Sequence, residues 1–500
     1  MAQSWLRFLW ETRFLTKVIL VNALFWITLL LTIFFTLPKR FEAQKVKPLT
    51  EDEFNDEDRK NGTSGYSYFS KQQQQQNQKS VAPATSVVVL VLGDIGRSPR
   101  MQYHAASIAA HGGRVDLVGY VESEVLPEIT ASRLIKIVPL QPPPPQLRTT
   151  SKVLFPIIAP LKVLFQIWNL YMALGYKARP SKFMLVQNPP SIPTLLIAQV
   201  MCYLRSTRLI IDWHNLGHTI LALKLGQKHP LVKLSELYET AVARYANGHF
   251  AVSQAMAKLL KNRYGIDALP LYDRPAKQFQ PISLQRRSEF LARLPETAKH
   301  AQSIEKGERR LLVSSTSWTP DEDFSILLDA LVAYSATASM DKQYPKILAI
   351  ITGKGPLKKH YVERINRLHR EKKLANAHIS TAWLSIEDYA TLLGSADLGV
   401  SLHTSSSGVD LPMKVVDMFG TGLPVVGWDR FEAWPELVKE GVNGRGFHNA
   451  EGLDRLLLSL LGNGGHRMED LRRGALTESK RRWEDEWTTA AKVFGIQPST

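Results

Sequence analysis

Residues 401–428 read SLHTSSSGVDLPMKVVDMFGTGLPVVGW, and this stretch decides the fold of the second half of the chain. A buried strand is expected to end at His403 and to lead into the small polar loop Thr404–Gly408. A short helix should follow over Pro412–Phe419, because proline is acceptable in a first helical turn and the glycines after Phe419 end helices. The apolar run that comes next predicts another buried strand. This order of strand, loop, helix and strand is typical of a parallel α/β sheet.

The same loop and helix hold candidate groups for binding a nucleotide. Small residues in the loop let backbone N–H groups approach a diphosphate. On the helix, Asp417 can accept hydrogen bonds from ribose hydroxyls and Lys414 can face phosphates, and a second lysine, Lys354, lies in the glycine turn ITGKGP after an earlier strand. The candidate donor-binding residues are therefore Lys354, Gly355, Ser405, Ser406, Ser407, Gly408, Lys414 and Asp417.

Strands and helices alternate in both halves of the chain. The β-branched run Ser86–Gly93 predicts a strand buried on both faces. The other predicted strands are Val115–Val121, Ile135–Leu140, Phe183–Gln187, Leu209–Trp213, His249–Ser253, Arg310–Ser315, Ile347–Thr352, His378–Leu384, Leu398–His403 and Pro424–Trp428. This alternation predicts two doubly wound, Rossmann-like α/β domains over 86–285 and 286–500, the second with a C-terminal helix. Ligands of such folds bind at the carboxyl ends of strands and between domains.

The first strand runs into the turn GDIGRSPRMQYHA at residues 93–105. Gly93 and Gly96 permit a tight turn, and the N-terminus of the following helix suits a phosphate. Arg97 and Arg100 add positive charge, so these four residues are candidates for binding the phosphate of an acceptor. A plain strand-to-helix turn remains the alternative. The full dinucleotide fingerprint is missing, which disfavours an oxidoreductase.

Candidate catalytic groups cluster in LIIDWHNLGH at residues 209–218, where a strand ends. Asp212 or His214 can take a proton from a hydroxyl, and Asp94 at the end of the first strand is the third candidate. A structural role for the histidine remains the alternative. No clear Asp-x-Asp site stands at a strand end, and 321–323 (DED) is interpreted as solvated loop charge. We therefore predict no metal ligands, while dependence of the reaction on a metal stays open.

Together these motifs resemble the GT-B glycosyltransferases, and within them the chitobiosyldiphosphodolichol β-mannosyltransferase family. The resemblance covers about residues 87–447 and the N-terminal apolar segment. It implies an inverting transfer of mannose from GDP-mannose to GlcNAc₂-diphosphodolichol with a β-1,4 bond, an early step of N-glycan precursor assembly, without a bound cofactor. It also implies a dolichol-linked acceptor in the endoplasmic reticulum membrane, and by analogy a complex with other mannosyltransferases of the pathway. A homo-oligomer is left open.

The chain departs from the retaining relatives of this fold. Those enzymes place two glutamates eight residues apart in the last motif; aligned on GLPV, the second corresponds to Asp417 and the first to Val409, with Asp410 one residue away. The arginine and lysine of their diphosphate loop are missing from STSWTPDED at 315–323. Two alternatives therefore stay open, a retaining UDP-sugar hexosyltransferase and a catalytically inactive GT-B membrane scaffold.

The N-terminal end of the chain predicts a membrane anchor. Residues 18–37 (VILVNALFWITLLLTIFFTL) are apolar, long enough to span a bilayer, and not followed by a small-residue cleavage site. A short segment, 1–17, precedes this anchor, and 38–85, with its acidic cluster and glutamine run, is predicted to be a disordered tether. More lysine and arginine after the span, and one cysteine in the chain, favour a single-pass protein with cytosolic catalytic domains.

Residues 153–176 form a second apolar stretch, interrupted by Pro156, Pro160 and Lys162. We expect either a segment in the membrane interface, with Trp168 near the head groups, or a buried core helix. A second full span is disfavoured, since it would separate the strands on its two sides.

The composition narrows the choice of partner. The 500 residues carry 62 Lys and Arg against 46 Asp and Glu, a formal net charge of +16. This charge suits a nucleotide diphosphate, a lipid head group or a nucleic acid, and general solubility explains it equally well. No stripe of interleaved aromatic and basic residues is present, which disfavours nucleic acid.

Overall fold

The computed structural model describes residues 37–42, 85–147, 155–319, 322–462 and 466–497. The predicted anchor, apart from Leu37, and most of the predicted tether lie outside the described residues. The described residues form two parallel β-sheets with helices on both faces, as the alternation of strands and helices predicts. The GT-B expectation of two Rossmann-like domains is confirmed.

The first sheet has seven strands in the order β3-β2-β1-β4-β5-β6-β7. Their bounds are β1 Ser86–Asp94, β2 Arg114–Tyr120, β3 Ile135–Pro139, β4 Phe183–Asn188, β5 Arg208–Trp213, β6 Gly248–Ala251 and β7 Leu269–Pro270. The strand order reverses between β1 and β4, so the ends of these two strands flank the position where ligands of open α/β sheets bind.

The second sheet has six strands in the order β10-β9-β8-β11-β12-β13. Their bounds are β8 Arg309–Ser315, β9 Lys346–Thr352, β10 Ala377–Ala382, β11 Leu398–Ser401, β12 Val425–Trp428 and β13 Gly444–Phe447. All eleven strands predicted from the sequence are present. Two short edge strands, β7 and β13, were missed because neither has a long apolar run.

Eighteen α-helices are found among the described residues. They are α1 Pro99–Ala110, α2 Pro127–Ala131, α3 Phe155–Met172, α4 Thr194–Arg205, α5 Gly217–Leu225, α6 Pro230–Ala243, α7 Gln254–Tyr264, α8 Leu284–Arg293, α9 Pro295–Ala298, α10 Ala301–Glu305, α11 Ser325–Met340, α12 Lys358–Arg370, α13 Ile386–Ser395, α14 Met413–Gly420, α15 Trp434–Leu437, α16 Ala450–Leu461, α17 His466–Glu478 and α18 Trp483–Ala491. The decisive helix, α14, starts one residue after Pro412, which caps it.

The last helix returns to the first domain. Trp483 and Trp487 of α18, and Phe494 just after it, join the core cluster on one face of the first sheet, beside α1. The Trp487 indole N–H donates a 3.1 Å hydrogen bond to His104 of α1. The sequence-based division had assigned this helix to the second domain, because chain order gives no sign that the last residues cross back.

Helices α3, α4 and α6 cover the opposite face of the first sheet. Leu170 of α3, Met201 of α4 and Ala243 of α6 are buried with Met184 and Ile211 of the strands. The sheet is therefore covered on both faces, which explains why its central strands are almost continuously apolar.

The apolar stretch after residue 153 forms α3 and a following π-helical turn, Ala173–Lys177. Among the described residues, one helical stretch, Ile158–Lys177, is long and apolar enough to cross a membrane by length and composition. One face of it is buried in the domain, while Leu164 and Trp168 on the other are each 61% exposed. The predicted core environment therefore applies to one face of the helix. The predicted membrane interface can apply only to the other face. The helix connects two strands of one sheet, so it belongs to the domain.

Candidate active site

The carboxyl ends of the two sheets face each other, and side chains from the two domains touch there. The Asn215 amide, just after β5, donates a 3.2 Å hydrogen bond to the Ser406 hydroxyl in the loop after β11. Ser253 donates to the carbonyl oxygen of Val409 at 2.5 Å. The two motifs that the sequence singled out in separate halves of the chain thus form one cleft.

Asp212 lies at the base of this cleft and is completely buried. The Arg100 guanidinium donates to both of its carboxylate oxygens, at 2.8 and 2.9 Å, and His214 lies 2.9 Å from one of them. Burial alone would raise the pKa of Asp212, but the neighbouring Arg100 and His214 hold it well below its usual range. A carboxylate held in this way stays ionised and orients its neighbours, but it has no exposed surface with which to touch a substrate.

Arg100 was predicted to bind a phosphate of the acceptor, and that prediction is wrong. The residue is 3% exposed. Besides Asp212, its guanidinium donates to the carboxylate of Asp273 and to the carbonyl oxygen of Leu271, both at 2.9 Å. Its N–H groups thus already serve partners inside the first domain. The sequence could not reveal this, because these partners are more than a hundred residues away along the chain.

His214 is the group of this cluster that reaches the cleft, with 23% of its side chain exposed. Because Asp212 is ionised, it can only accept, so the Nε2 atom of His214 carries the proton of their hydrogen bond. With its proton on Nε2, the ring in its neutral form has the lone pair on Nδ1. An ionised aspartate that orients a histidine in this way is the arrangement that prepares an imidazole to act as a base.

A second histidine, His104, completes the surroundings of Asp212 and was not singled out from the sequence. It is fully buried, and its Nδ1 accepts the Trp487 hydrogen bond, so its proton sits on Nε2, 3.4 Å from Asp212. Burial lowers the pKa of His104 although Asp212 opposes this, so the ring is neutral.

Glu239 of α6 fixes the backbone just beyond His214 and was also missed. It is fully buried and accepts hydrogen bonds from the Gly217 backbone N–H, from the Asn188 amide and from the Ser191 hydroxyl, at 2.7–2.9 Å. Its other oxygen pairs with His218 at 2.8 Å. These contacts hold the start of α5 against the end of β4, and so fix the loop that carries His214.

Asp94 shapes the turn after β1. Its carboxylate accepts from the backbone N–H groups of Gly96, Glu122 and Ser123 at 3.0–3.3 Å. Burial would raise the pKa of Asp94, but the Ser123 hydroxyl and these backbone hydrogen bonds lower it, which makes Asp94 a weaker base. A turn-forming role accounts for these contacts, and a catalytic role for Asp94 has no geometric support.

The other residues of this turn differ in their freedom to meet a ligand. Gly96 has no room for a side chain, because a Cβ atom would meet the carbonyl oxygens of Ser123 and Glu124. Gly93 has ordinary space around it. The side chain of Arg97 is 78% exposed beside Asp94, so its charge can reach an anion. Of the four predicted phosphate-binding residues, Arg97 is thus the cation on the surface.

The loop Thr404–Gly408 is organised by Asp410. Its carboxylate accepts from His403 at 2.8 Å, from Ser407 at 3.1 Å and from Ser405. The Ser405 hydroxyl in turn accepts the Gly408 backbone N–H at 2.8 Å. The loop was predicted to offer its amides to a diphosphate, but the Gly408 amide is already satisfied within the loop. From the sequence, Asp410 was noted only because it lies one residue from the position of the retaining relatives' first glutamate. Its role in organising the loop was not predicted.

Lys414 pairs with Glu322 and lies 3.2 Å from the Ser317 hydroxyl. Glu322 is 3% exposed and also accepts from the Thr316 hydroxyl at 2.7 Å. The interpretation of Glu322 as solvated loop charge is therefore wrong. Glu322 belongs to the acidic residues that stand where the retaining relatives have a lysine. It holds the loop 315–319 against α14, and it neutralises Lys414, which was predicted to face phosphates.

Lys354 and Gly355 lie at the end of β9. The Lys354 ammonium is 3.9 Å from the ring centre of Trp383, an aromatic side chain that is 62% exposed. Gly355 has no side chain because the loop containing Ser317 passes directly against it. Lys354 is therefore a cation at the cleft edge, held by an aromatic ring with which it interacts favourably.

Asp417 is the unusual carboxyl of the second domain. Burial, with a smaller contribution from the charge of Asp273, raises its pKa to about 8. The negative charge of Asp417 in turn helps to raise the pKa values of Tyr103 and Tyr389, after the larger effect of burial. Asp417 is therefore largely protonated at neutral pH. A carboxyl in this environment is a candidate for binding a polar ligand.

A metal centre was not predicted from the sequence. Within the described parts of the chain, no group of three or more His, Cys, Asp or Glu side chains is arranged to hold a metal ion. Three buried carboxylates of the cleft are paired with protein groups: Asp212 with Arg100, Asp410 with His403 and Glu322 with Lys414.

The fold and this cleft define a glycosyltransferase of the GT-B type. The family described as "Glycosyl transferases group 1" matches residues 308–463. Two solved structures share the fold: sucrose-phosphate synthase from Thermosynechococcus elongatus (TM-score 0.58, 15% identity, 82% of this chain and 98% of that one) and Anabaena HepE in complex with UDP (TM-score 0.56, 14% identity, 82% and 99%). At such identities the likeness concerns the fold alone.

Curated relatives narrow the class to a family. A chitobiosyldiphosphodolichol β-mannosyltransferase of Arthroderma benhamiae is 56% identical over 73% of this chain and 83% of its own length. One of Yarrowia lipolytica is 43% identical over 82% and 86%. A protein of Arabidopsis thaliana named UDP-glycosyltransferase TURAN is 40% identical over 82% and 97%. The chain belongs to the chitobiosyldiphosphodolichol β-mannosyltransferase family.

Proposed function

We propose that this chain transfers mannose from GDP-mannose to GlcNAc₂-diphosphodolichol and forms a β-1,4 bond. The names of the relatives supply the acceptor and the β-mannosyl product. The observation that carries the proposal is the His214–Asp212 pair, whose imidazole is partly exposed. The next residue, Asn215, donates a hydrogen bond to Ser406 in the loop that the second domain presents across the cleft. A base at that position can take a proton from a sugar hydroxyl while a nucleotide diphosphate leaves from the other side.

The mechanism is a single displacement. GDP-mannose has an α-linked leaving group, so a β product requires attack on the opposite face of the sugar. His214 Nδ1 removes the proton of the acceptor hydroxyl, and Asp212 stabilises the imidazolium that forms. As in glycoside hydrolysis, the transition state has oxocarbenium character. Asp212 is a positioning residue in this scheme because it is buried. The sequence predicted either Asp212 or His214 as the base; here His214 is the base and Asp212 orients it.

The second domain would hold the donor. Lys354 is the cation at the cleft edge for the diphosphate, and the start of α14 adds the positive end of a helix dipole. Asp417 would meet the ribose hydroxyls. Lys414 is paired with Glu322. It can bind the diphosphate only if this ion pair opens, or if the ammonium contacts Glu322 and the diphosphate at the same time.

The first domain would hold the acceptor, whose lipid stays in the membrane. Arg97 is the exposed cation for the acceptor diphosphate. The predicted anchor at 18–37 suits an enzyme of the endoplasmic reticulum membrane with its catalytic domains in the cytosol, where the sole cysteine, Cys202, stays reduced. Association with other mannosyltransferases of the pathway is part of this proposal by analogy. No cofactor is needed for the displacement, and we propose that it is independent of metal.

The test is a transfer assay with the full chain in detergent. The protein is incubated with GDP-mannose and a GlcNAc₂-diphosphate-lipid acceptor, with and without a chelator, and the product is digested with an anomer-specific mannosidase. A trisaccharide that forms in the presence of chelator and is cleaved by β-mannosidase is the expected result. GDP binding without transfer would point to the inactive scaffold instead.

The donor needs a separate arm, because one relative is named as a UDP-glycosyltransferase. GDP and UDP are titrated as competitors of the transfer, and the anomer formed from each nucleotide sugar is determined. Stronger competition by GDP together with a β product supports the proposal. Preference for UDP with an α product would establish the retaining hexosyltransferase.

A further inference from the structure

Asp273 is a buried carboxylate of the cleft that the proposed mechanism does not use. It lies in the linker that follows β7 and leads to the second domain, and it is 6% exposed. Its Oδ1 atom accepts a 2.9 Å hydrogen bond from the Nη1 atom of Arg100. The same guanidinium donates through Nε and Nη2 to the two oxygens of Asp212. Arg100 therefore joins two buried carboxylates, one of which holds His214.

The linker fixes this carboxylate from both sides. The hydroxyl of the preceding residue, Tyr272, donates a 2.9 Å hydrogen bond to Glu436 of α15 in the second domain. The following residue, Arg274, is 5% exposed and donates at 2.9 Å to Glu478 of α17 and at 2.9 Å to Glu486 of α18. Contacts of the two neighbouring residues thus hold the linker against Arg100.

The titratable groups around this cluster come from four parts of the fold. They are Arg100, Tyr103 and His104 on α1, Asp212 and His214 at and just after the end of β5, Asp273 on the linker and Asp417 on α14. Burial lowers the pKa of His104, and burial with the charge of Asp273 raises the pKa of Asp417 to about 8, so both groups are largely uncharged at neutral pH. Burial also raises the pKa of Tyr103, which stays protonated.

The remaining groups carry one excess negative charge. Burial would lower the pKa of Arg100, but the charges of Asp212 and Asp273 raise it, so the guanidinium stays positive. One cation between two carboxylates leaves a net charge of minus one, and a proton that arrives on His214 brings the sum to zero. Without Asp273, the Arg100–Asp212 pair would already be neutral, and the imidazolium would be an excess positive charge. A nearby opposite charge favours the charged form of a titratable group, and its effect is larger away from water.

We propose that Asp273 is a positioning residue of the transfer reaction, whose negative charge compensates the imidazolium that forms at His214. It acts through Arg100, which lies between the two carboxylates. The inference rests on the proposed function, in which His214 is the base. It adds that the linker between the domains supplies part of the charge that makes this base effective.

The first measurement follows the protonation of His214 without any substrate. The full chain in detergent is treated with diethylpyrocarbonate, which carbethoxylates unprotonated imidazole, over a series of pH values. The tryptic peptide 209–224 carries the product, and its fragmentation distinguishes His214 from His218. The side chain of His214 is 23% exposed and open to the reagent. The quantity measured is the pH at which the rate of carbethoxylation is half of its maximum.

Asp273→Asn removes the charge and keeps an oxygen that can accept from Arg100. It should move the half-maximal pH lower by about one unit. Asp273→Glu keeps the charge, so the half-maximal pH should stay within about 0.3 of the unsubstituted chain even if the longer side chain lowers stability. The matched control is Asp116→Asn, because Asp116 is 1% exposed and pairs with Arg179 near the amino-terminal end of the same sheet. It should leave the half-maximal pH unchanged.

An unchanged half-maximal pH in Asp273→Asn would overturn the proposal, since the carboxylate would then have only a structural role. An equal shift in Asp116→Asn would overturn it as well, because the shift would follow from loss of stability. If Asp273→Asn does not fold, Asp273→Glu decides: a half-maximal pH close to that of the unsubstituted chain supports the proposal, and a drop of a full unit contradicts it.

The second measurement is the pH profile of kcat for the transfer. In Asp273→Asn the acid limb of the profile should move lower by the same amount as the carbethoxylation, and the plateau should fall about threefold or more because the base is weaker. Loss of folded protein would lower kcat equally at every pH and leave the acid limb in place, which would contradict the proposal. An inactive unsubstituted chain would contradict the proposed function, and the carbethoxylation series would still decide whether Asp273 controls the protonation of His214.

Discussion

The two sides of the cleft shift the pKa values of their carboxyl groups in opposite directions. In the first domain, both oxygens of Asp212 receive hydrogen bonds from Arg100, and the pKa of the carboxyl is lowered. In the second domain, Asp417 is partly buried with the negative Asp273 nearby, and its pKa is raised to about 8. The first side is complete before any ligand arrives. The second side carries a carboxyl whose environment is unfavourable until a ligand supplies hydrogen-bond donors.

The largest expected effect comes from breaking the complete side. Arg100→Met leaves Asp212 and Asp273 buried without their cation, which should lower the free energy of unfolding by about 3–5 kcal/mol. Urea denaturation measures this loss. Arg97→Met removes a side chain that is 78% exposed and should change stability by no more than about 0.5 kcal/mol. Similar values for the two variants would mean that the buried network is not what holds the cleft together.

The next effect concerns catalysis. His214→Gln should lower kcat about 10²-fold or more, because it removes the base, and Asp212→Asn should do the same by releasing the tautomer of His214. Titration with GDP should give the same Kd for both variants as for the unsubstituted chain. His360→Gln on the exposed side of α12 serves as control. Activity within threefold in both variants would place the base elsewhere, and Asp94→Asn would be tested next.

Asp417 gives a pH-dependent effect of intermediate size. Its pKa is higher in the folded chain than in the unfolded one, so the folded chain keeps a proton that the unfolded chain releases. The stabilisation is complete below about pH 4 and is lost as the pH rises through about 8. Asp417→Asn should remove this dependence and raise the free energy of unfolding by roughly 2 kcal/mol at pH 8.

The control for this experiment is Asp267→Asn, whose side chain is 81% exposed. It should leave the difference in stability between pH 5 and pH 8 unchanged. If Asp417→Asn is less stable than the unsubstituted chain at pH 8, the enclosed carboxyl is ionised and paired, and the contrast between the two sides of the cleft fails.

The smallest effect concerns the cation at the cleft edge. Lys354→Met should weaken GDP binding about fivefold at low salt and less at high salt, because an exposed charge is screened. Isothermal titration at two salt concentrations measures both quantities. Lys359→Met, on the exposed start of α12, should leave the affinity unchanged. A loss that does not depend on salt would assign Lys354 a packing role on Trp383.

The fold could be predicted from local patterns, because the strands that decide it are buried on both faces. In a chain of alternating strands and helices, the continuous β-branched run of β1 predicts a strand buried on both faces. β1 is indeed buried along most of its length. The return of α18 to the first sheet could not be predicted in the same way. Its tryptophans pack against residues that lie almost 400 positions earlier, as the bond from Trp483 to Ser107 illustrates.

The site was predictable by location and not by pairing. Strand ends in this fold class converge, so the sequence identified the region of His214 and the loop near Ser406. It could not determine that Arg100 points inward or that Glu322 is buried, because a charged residue in a turn is usually solvated. Local spacing shows which residues can meet a ligand, whereas long-range ion pairs decide which of them remain available.

The position of α18 has a consequence for the biosynthesis of the chain. Domains generally fold as they leave the ribosome, N-terminal one first. Here the first sheet cannot complete its core until Trp487 and Phe494 have been synthesised. The ribosome must therefore produce the whole second domain while one face of the first remains open. A truncation or a bulky tag at the C-terminus would consequently damage the end of the molecule that is made first.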